Sequence, residues 1–165
     1  EGLDQFESLF GYRSKSFVAP RYTWTPEIEK PLNESGIIFI KSRPYQSVPV
    51  SYDLNIYKNK ILYTGKRNKY GQIYMVRNAY FEPSSYQSFD WIGKTLKSIT
   101  TAFSHKKPAI ICTHRVNYIG SIFEKNRKTN LIKLKELLRA ILKKYPDVEF
   151  LTSDDLGAIM LDSKI

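Results

Sequence analysis

The chain contains two histidines, and one of them follows an apolar run in a position suited to acid–base chemistry. His114 comes directly after residues 109–113, which are almost wholly apolar. Polar side chains at the carboxyl ends of parallel strands face the ligand crevice of an α/β sheet. We therefore predict His114 as a general acid or base, with hydrogen bonding to backbone as the alternative. His105 lies in a polar turn before Pro108 and is predicted to be solvated surface.

Three further residues carry groups suited to the same crevice. Asp90 lies in the first turn of a predicted helix, where a carboxylate stabilises the helix whatever its function. A carboxylate that reaches a histidine would also favour the protonated ring and fix its tautomer. Trp91 is predicted either as core or as a wall for a sugar ring. Glu82 is a further crevice candidate, with an exposed loop position as the alternative.

The spacing of apolar residues predicts elements that alternate along the chain. Leu3, Phe6 and Phe10 predict a short helix that ends at Gly11. Ser85 or Ser88 is predicted to cap the helix over 89–103, and Ser153 to cap the last helix, over 153–160. Two more helices are predicted, one beginning at 25–26 and one carrying residues 131–142. Strands are predicted over 16–20, 37–40, 73–76, 109–113 (buried on both faces) and 148–151.

Alternation of this kind implies a parallel sheet covered by helices, which is an α/β fold. A closed (β/α) barrel needs about eight strand–helix units and about 250 residues, and about five units are present. The chain is therefore predicted to be an open sheet or part of a barrel. Residues 42–86 are predicted as a long tyrosine-rich loop or hairpin insertion within one domain that spans residues 1–165.

Composition excludes several classes of protein. The 165 residues are 42% hydrophobic and 14% aromatic, so the chain is not a disordered basic tail. Its apolar runs are much shorter than the roughly 20 residues that span a bilayer, so no membrane span is predicted. The single cysteine, Cys112, excludes an intrachain disulfide and is predicted to exclude a cysteine-based zinc site.

Three short segments together resemble a known family. Residues 17–22, the pair Asp90-Trp91 and residues 111–114 resemble, in order and spacing, the third, fourth and fifth sequence blocks of the polysaccharide deacetylases of the NodB-homology type. The resemblance implies a distorted (β/α) barrel that removes N- or O-acetyl groups from carbohydrates. It also implies a divalent metal, commonly zinc.

Carried over position by position, the resemblance implies roles for individual residues. His114 matches the general acid that protonates the departing amine or alcohol, and Asp90 matches the acid that tunes it. Trp91 would form part of the hydrophobic wall of the groove. Pro20 and Tyr22 would shape the other side of that groove.

The match is incomplete around the third block. The family usually has an arginine where this chain has Val18, and Arg21 is the candidate to replace it. Further sugar-binding residues are proposed by their position after strands. They are Arg77, Asn78, Arg115 and Asn117.

The first two blocks of the family supply the catalytic base, a metal-binding aspartate and two metal-binding histidines. Only sixteen residues precede Phe17, and none is a histidine. Asp154 and Asp155 lie at the wrong end of the chain for this role, and helix capping explains them. This chain is therefore expected to hold no metal ligands of that set, and zinc is expected only with a missing N-terminal part.

The resulting expectation is a C-terminal portion of a carbohydrate deacetylase-like protein that carries the general-acid half. It would bind a carbohydrate, associate with the missing N-terminal half and be inactive as an isolated fragment. The first alternative is a non-catalytic relative that binds glycans. The compartment is left open.

The net charge of +10 suggests a second alternative, a domain that binds nucleic acid. Residues 54–81 contain six basic residues and no acidic ones, interleaved with tyrosines that can stack on bases or sugars. The basic residues of 124–144 are predicted as the solvated face of a helix. Because no nucleic-acid-binding module is recognised, this alternative ranks below the carbohydrate hypotheses.

Overall fold

The computed structural model describes residues 1–51 and 53–162, and this part of the chain is a mixed α/β structure. It packs as two compact units. The first contains residues 1–76 and the segment that begins at Leu151, and the second is Arg77–Phe150. The elements of the first unit are α1 (Gly2–Phe10), β1 (Ser16–Val18), α2 (Glu29–Glu34), β2 (Phe39–Ser42), β3 (Tyr45–Ser51), β4 (Ile56–Ile61), β5 (Ile73–Val76) and α5 (Ser153–Asp162). Those of the second are β6 (Ala79–Tyr80), α3 (Trp91–Ser104), β7 (Ile111–Cys112) and α4 (Glu124–Lys144).

A parallel sheet in the order β1-β2-β5 forms the centre of the first unit. All four residues of β5 are buried, as expected for a strand rich in apolar and aromatic side chains. One face of the sheet packs into a cluster that includes Trp24, Ile40 and Tyr74. Glu29 is buried beside this cluster and accepts hydrogen bonds from Trp24 Nε1 (3.1 Å) and the Tyr74 hydroxyl (2.7 Å).

The segment predicted as an insertion, residues 42–86, contributes a hairpin and β5 to the first unit and β6 to the second. Its first part is an antiparallel hairpin, β3–β4, with a register shift between Pro49 and Ser51. This confirms the predicted hairpin. Its second part supplies β5, which pairs in parallel with β2 through Phe39 and Ile73 and so belongs to the main sheet.

In the second unit, β6 and β7 form a parallel pair and the helices α3 and α4 pack together. Their shared core contains Phe81, Ile99, Leu137 and Ile141. The strand predicted over 109–113 is shorter than expected, and Cys112 is its one fully buried residue. The prediction of burial on both faces was wrong, because Cys112 is buried and the other residues of 109–113 are partly exposed.

The strand predicted over 148–151 is absent from the described structure. Residues 148–151 are irregular, and Phe150 and Leu151 are exposed. The amide of Val148 donates to the Tyr145 carbonyl oxygen at 3.1 Å, in the turn that follows α4. That turn uses a backbone group which a strand would need for pairing.

The helix ends show which capping predictions hold. Gly11 ends α1 with φ of 75°, in the left-handed conformation that glycine adopts without strain, as predicted. Asp90, and not Ser85 or Ser88, caps α3. Thr152, and not Ser153, caps α5: its amide and hydroxyl both contact Asp155 Oδ2, and Asp155 N–H donates to Thr152 Oγ1. These bonds lower the pKa of the Asp155 carboxyl.

The predicted parallel α/β class is confirmed, since both β1-β2-β5 and β6-β7 are parallel. The described strands bond as one three-stranded sheet and two pairs, and none of these groups closes into a barrel. In the part of the chain that the structure describes, no helix combines the length and apolar character needed to cross a membrane.

Candidate functional site

The candidate site lies beyond the carboxyl ends of β6 and β7, and strand register explains its composition. Tyr80 pairs with Cys112, and the strands run in the same direction. Glu82 and His114 each lie two residues beyond this pair. Both therefore follow the carboxyl ends of β6 and β7, at the same edge of the sheet. The Phe81 amide donates to the Cys112 carbonyl oxygen at 2.9 Å and holds the two chains together at this point.

Glu82 and His114 are in direct contact. The Nδ1 atom of His114 lies 2.6 Å from Glu82 Oε1. The second carboxylate oxygen, Oε2, accepts from Asn117 Nδ2 at 2.7 Å. The Glu82 side chain is 15% exposed and that of His114 is 61% exposed, so a largely covered carboxylate holds a ring that faces solvent.

The surrounding hydrogen bonds orient the Asn117 amide. The Ser84 N–H can only donate, and it lies 2.9 Å from Asn117 Oδ1. This contact places the Asn117 amide nitrogen toward Glu82, whose Oε2 must therefore accept. A carboxylate can only accept, so with Glu82 as a carboxylate the hydrogen of the shared bond lies on His114 Nδ1. The other ring nitrogen, Nε2, is then left for a ligand.

Asn117 is fully buried and joins several parts of the site. Besides Glu82, its Nδ2 lies 2.9 Å from the His114 carbonyl oxygen and 3.3 Å from Thr113 Oγ1. It was predicted as a sugar-binding residue. The structure places it beneath His114 instead, where it orients the carboxylate.

A second layer of polar side chains surrounds Asn117. Asn130 Nδ2 donates to the Asn117 carbonyl oxygen at 3.0 Å and lies 2.9 Å from both Ser84 Oγ and Asn126 Oδ1. Sequence analysis missed this layer. Two asparagines at i and i+4 on α4 were the available signal, because that spacing places both on one helix face.

Cys112 lies at the base of the site and is 1% exposed. Arg77 Nη1 donates to its Sγ atom at 3.5 Å. One ligand atom from each of Glu82, Cys112 and His114 lies within 4.8 Å of the others. Arg77 was predicted to contact a sugar, and the structure places it against this sulfur. Cys112 was not among the predicted site residues, because a single cysteine argued against a cysteine-based zinc site.

Tyr118 directly follows the 3₁₀ turn Arg115–Asn117. Its hydroxyl lies 2.8 Å from Thr113 Oγ1. Burial raises the pKa of the Tyr118 phenol, the hydrogen bond with Thr113 opposes this, and the Glu82 charge adds to it. The phenol therefore stays protonated and available for hydrogen bonding near neutral pH.

The predicted partner Asp90 is engaged elsewhere. Its Oδ1 accepts from the Gly93 amide at 2.8 Å, so Asp90 caps α3 while Glu82 takes the contact with His114. Trp91 is half-buried, packs edge-on against Phe89 and donates through Nε1 to the Tyr86 carbonyl oxygen at 3.1 Å. It also packs against the core of its unit.

The remaining predicted sugar-binding residues of the second unit have different surroundings. Asn78 bonds the segment before β7: its Nδ2 donates to the Pro108 carbonyl oxygen at 3.0 Å and its Oδ1 accepts from the Ile110 amide at 2.8 Å. That arrangement is structural. Arg115 is exposed in the 3₁₀ turn Arg115–Asn117, next to His114.

Pro20, Arg21 and Tyr22 belong to the first unit, where they form a 3₁₀ turn. Arg21 and Tyr22 both have positive φ, 54° and 57°, a conformation that side chains other than glycine rarely adopt. The Arg43 guanidinium lies 5.8 Å from the centre of the Tyr22 ring. The structure thus describes these three residues and the His114 site in separate units.

The metal site that the family resemblance implies is not matched by the residues present. That set needs one aspartate and two histidines, and this chain has two histidines in all. His105 Nδ1 lies 2.8 Å from the Thr101 carbonyl oxygen in an exposed turn after α3. The grouping of potential ligands found among the described residues contains one histidine, one cysteine and one glutamate.

Comparisons with known proteins were made by family, by sequence and by structure. No family model matches the chain, and the searches of curated proteins and of solved structures found no match either.

Proposed function

We propose that this chain carries the general-acid half of a carbohydrate deacetylase-like hydrolase, with His114 as the acid and Glu82 as the residue that positions it. One observation carries the proposal. His114 follows β7, its Nδ1 lies 2.6 Å from the largely covered Glu82 carboxylate, and its side chain is 61% exposed. A strand-end histidine held in this way is a recurring arrangement of general acids and bases.

The proposal assigns one proton transfer to this chain. As the bond between the acetyl carbon and the sugar nitrogen or oxygen breaks, His114 Nε2–H would protonate the departing atom. Glu82 keeps the Nδ1–H in place and stabilises the positive ring before the transfer. Asn117 holds the carboxylate in orientation through Oε2. The hydroxide that attacks the acetyl carbon needs a base and a metal for which the proposal names no residue in this chain.

The resemblance of residues 17–22, 90–91 and 111–114 to the deacetylase blocks supports carbohydrate as the substrate class. The parallel strands support, as part of the same proposal, a portion of a distorted (β/α) barrel. In this proposal Glu82, and not Asp90, is the carboxylate that contacts His114. Arg115, which follows His114 in the chain, and Trp91 remain the proposed sugar contacts.

The test is calorimetric titration of the chain with N-acetylated and O-acetylated oligosaccharides. We expect binding by the unaltered chain and a loss of about tenfold or more in His114→Ala, because a central polar contact contributes about 1.4 kcal/mol or more. Trp91→Phe keeps an aromatic ring while it removes the larger indole and its Nε1 hydrogen bond to the Tyr86 carbonyl oxygen, and it tests the sugar wall. His105→Ala is the matched control, since it removes the other exposed histidine of the same unit.

Three results are informative. Binding that falls in His114→Ala and not in His105→Ala supports the site. Equal affinity in all variants, or no binding of any acetylated sugar, refutes the proposal. Acetate release assayed with the same sugars separates the hydrolase from the alternative, a glycan-binding relative: release that His114→Ala abolishes supports catalysis.

A further inference from the structure

Three side chains with metal-binding atoms meet at the ends of β6 and β7. We propose that Glu82, Cys112 and His114 bind one zinc-like divalent cation, with the fourth coordination position open to solvent. The mixture of carboxylate oxygen, sulfur and imidazole nitrogen is typical of zinc and of metals with similar preferences. The set is distinct from the aspartate and two histidines that the family resemblance implies.

The geometry is close to that of a bound ion. One ligand atom from each residue lies within 4.8 Å of the other two. Around a tetrahedral zinc, ligand atoms lie about 2.0–2.3 Å from the metal and hence about 3.3–3.8 Å from one another. A contraction of no more than about 1.0–1.5 Å therefore brings the three atoms to coordinating distance. The contact between His114 and Glu82, now 2.6 Å, would open to admit the ion.

The exposed fraction rises from Cys112 through Glu82 to His114, so the histidine side chain has the most room to adjust around an ion. Cys112 is 1% exposed and lies on a paired strand, so its sulfur is held in place. The Glu82 side chain is 15% exposed and that of His114 is 61% exposed. The histidine ring is thus the mobile ligand at the mouth of the site. A fourth ligand on its side would be water, as in zinc sites that keep one position free.

Two neighbouring hydrogen bonds orient the ligands before any metal binds. Asn117 donates to Glu82 Oε2 at 2.7 Å, which leaves Oε1 as the coordinating oxygen. Arg77 donates to Cys112 Sγ at 3.5 Å. Outer partners of this kind orient metal ligands and tune their affinity. With a thiolate and a carboxylate opposite the dication, the three ligands and the ion sum to zero charge, and Arg77 adds one positive charge.

Binding would release protons and would change the role of His114. The Cys112 thiol must lose its proton to solvent to form a sulfur–metal bond, and the ring nitrogen that coordinates must carry no proton. A cation here would therefore displace the hydrogen bond on which the proposed general acid depends. The inference does not require the proposed function, because metal binding is measured without any carbohydrate.

The experiment is titration of the chelator-treated chain with Co²⁺, followed by its displacement with Zn²⁺. Sulfur ligation to Co²⁺ gives a charge-transfer absorption band in the near ultraviolet, which oxygen and nitrogen ligands lack. We expect this band to saturate at one equivalent of Co²⁺ and to disappear when Zn²⁺ is added. Calorimetry with Zn²⁺ alone gives the affinity and the stoichiometry.

Variants identify the ligands. Cys112→Ser is expected to abolish the band, and circular dichroism shows whether that buried substitution still folds. His114→Gln changes an exposed side chain and is expected to weaken Zn²⁺ binding by about tenfold to a hundredfold. His105→Ala should bind as the unaltered chain does. The proposal is overturned if no sulfur–cobalt band appears at one equivalent, if the band persists in Cys112→Ser, or if His114→Gln and His105→Ala lose affinity equally.

The carbohydrate and metal experiments fail independently. Sugar binding without a cobalt band would refute the metal site and leave the general-acid proposal in place. A cobalt band without sugar binding would support the metal site and refute the general-acid proposal. If both hold, Zn²⁺ should weaken sugar binding in the unaltered chain and have no such effect in Cys112→Ser.

Discussion

Replacing Asn117 with alanine tests the hydrogen-bond network that holds the candidate site. Asn117 is fully buried, and its side chain contacts groups from four residues, Ser84, Glu82, Thr113 and His114. Its removal leaves the Ser84 N–H and Glu82 Oε2 without this partner, whereas the His114 carbonyl oxygen keeps the Asn117 backbone N–H at 3.0 Å. Local structure alone does not replace them, because the Ser84 amide lies outside the described helices and strands.

The expected cost follows from the two groups that lose their partner. A buried polar group left without its partner costs about 1–3 kcal/mol, more when one partner is charged. Two such groups would cost about 2–6 kcal/mol if nothing replaced the amide. The space left by the side chain has polar walls and can admit water, which restores part of the bonding. We therefore expect Asn117→Ala to lower the free energy of unfolding by about 2–4 kcal/mol.

The assay is equilibrium unfolding in urea, followed by circular dichroism and tryptophan fluorescence. With a slope of about 2 kcal/mol per molar urea for a chain of this size, the midpoint should fall by about 1–2 M. The folded variant should also bind Zn²⁺ more weakly, since Glu82 loses the residue that orients it.

The matched control is Gln87→Ala. Gln87 is an exposed amide of the same unit, and its truncation should change stability by no more than about 0.5 kcal/mol. If Asn117→Ala behaves like this control, the hydrogen bonds described around Glu82 and His114 do not hold the site, and the reasoning above is refuted.

Three further predictions concern other parts of the chain. Asp90→Ala should destabilise the protein by about 1 kcal/mol and speed amide hydrogen exchange at the start of α3, because it removes the helix cap. Gly157→Ala should cost about 1–3 kcal/mol in urea unfolding, since a Cβ atom there would overlap the buried ring of Phe39. Burial, and next the hydrogen bond to Glu29, raise the pKa of Tyr74, so its contribution to stability is complete below about pH 10 and is lost at higher pH. The unfolding free energy should therefore fall less steeply between pH 9 and 11 in Tyr74→Phe than in the unaltered chain.

Each of these predictions has a matched comparison. Ser88→Ala alters an exposed residue beside the α3 cap and should leave exchange in α3 unchanged; an equal effect would mean that Asp90 is not the cap. Gly2→Ala adds a Cβ atom in open space, so a loss of stability like that of Gly157→Ala would contradict the packing argument. Parallel pH profiles for the unaltered chain and Tyr74→Phe would show that burial does not shift the phenol.

Local patterns in the sequence predicted the elements whose causes are local. The helix that ends at Gly11 and the helix that begins beside Asp90 follow from apolar spacing and end residues, which act within one or two turns. The hairpin and β5 were also predicted. The strand over 148–151 was wrong because strand formation needs a pairing partner, and the apolar residues themselves do not specify one.

The composition of the candidate site depended on tertiary structure. The place of His114 after an apolar run predicts a general acid or base there, and Glu82 is only a further candidate on sequence grounds. Contact between them joins residues 32 positions apart and arises from the parallel register of β6 and β7. The same register brings Cys112 beneath both. Sequence spacing alone carries no information about such a register. It therefore favoured Asp90 as the partner of His114, whereas the Asp90 carboxylate accepts from the Gly93 amide of its own helix.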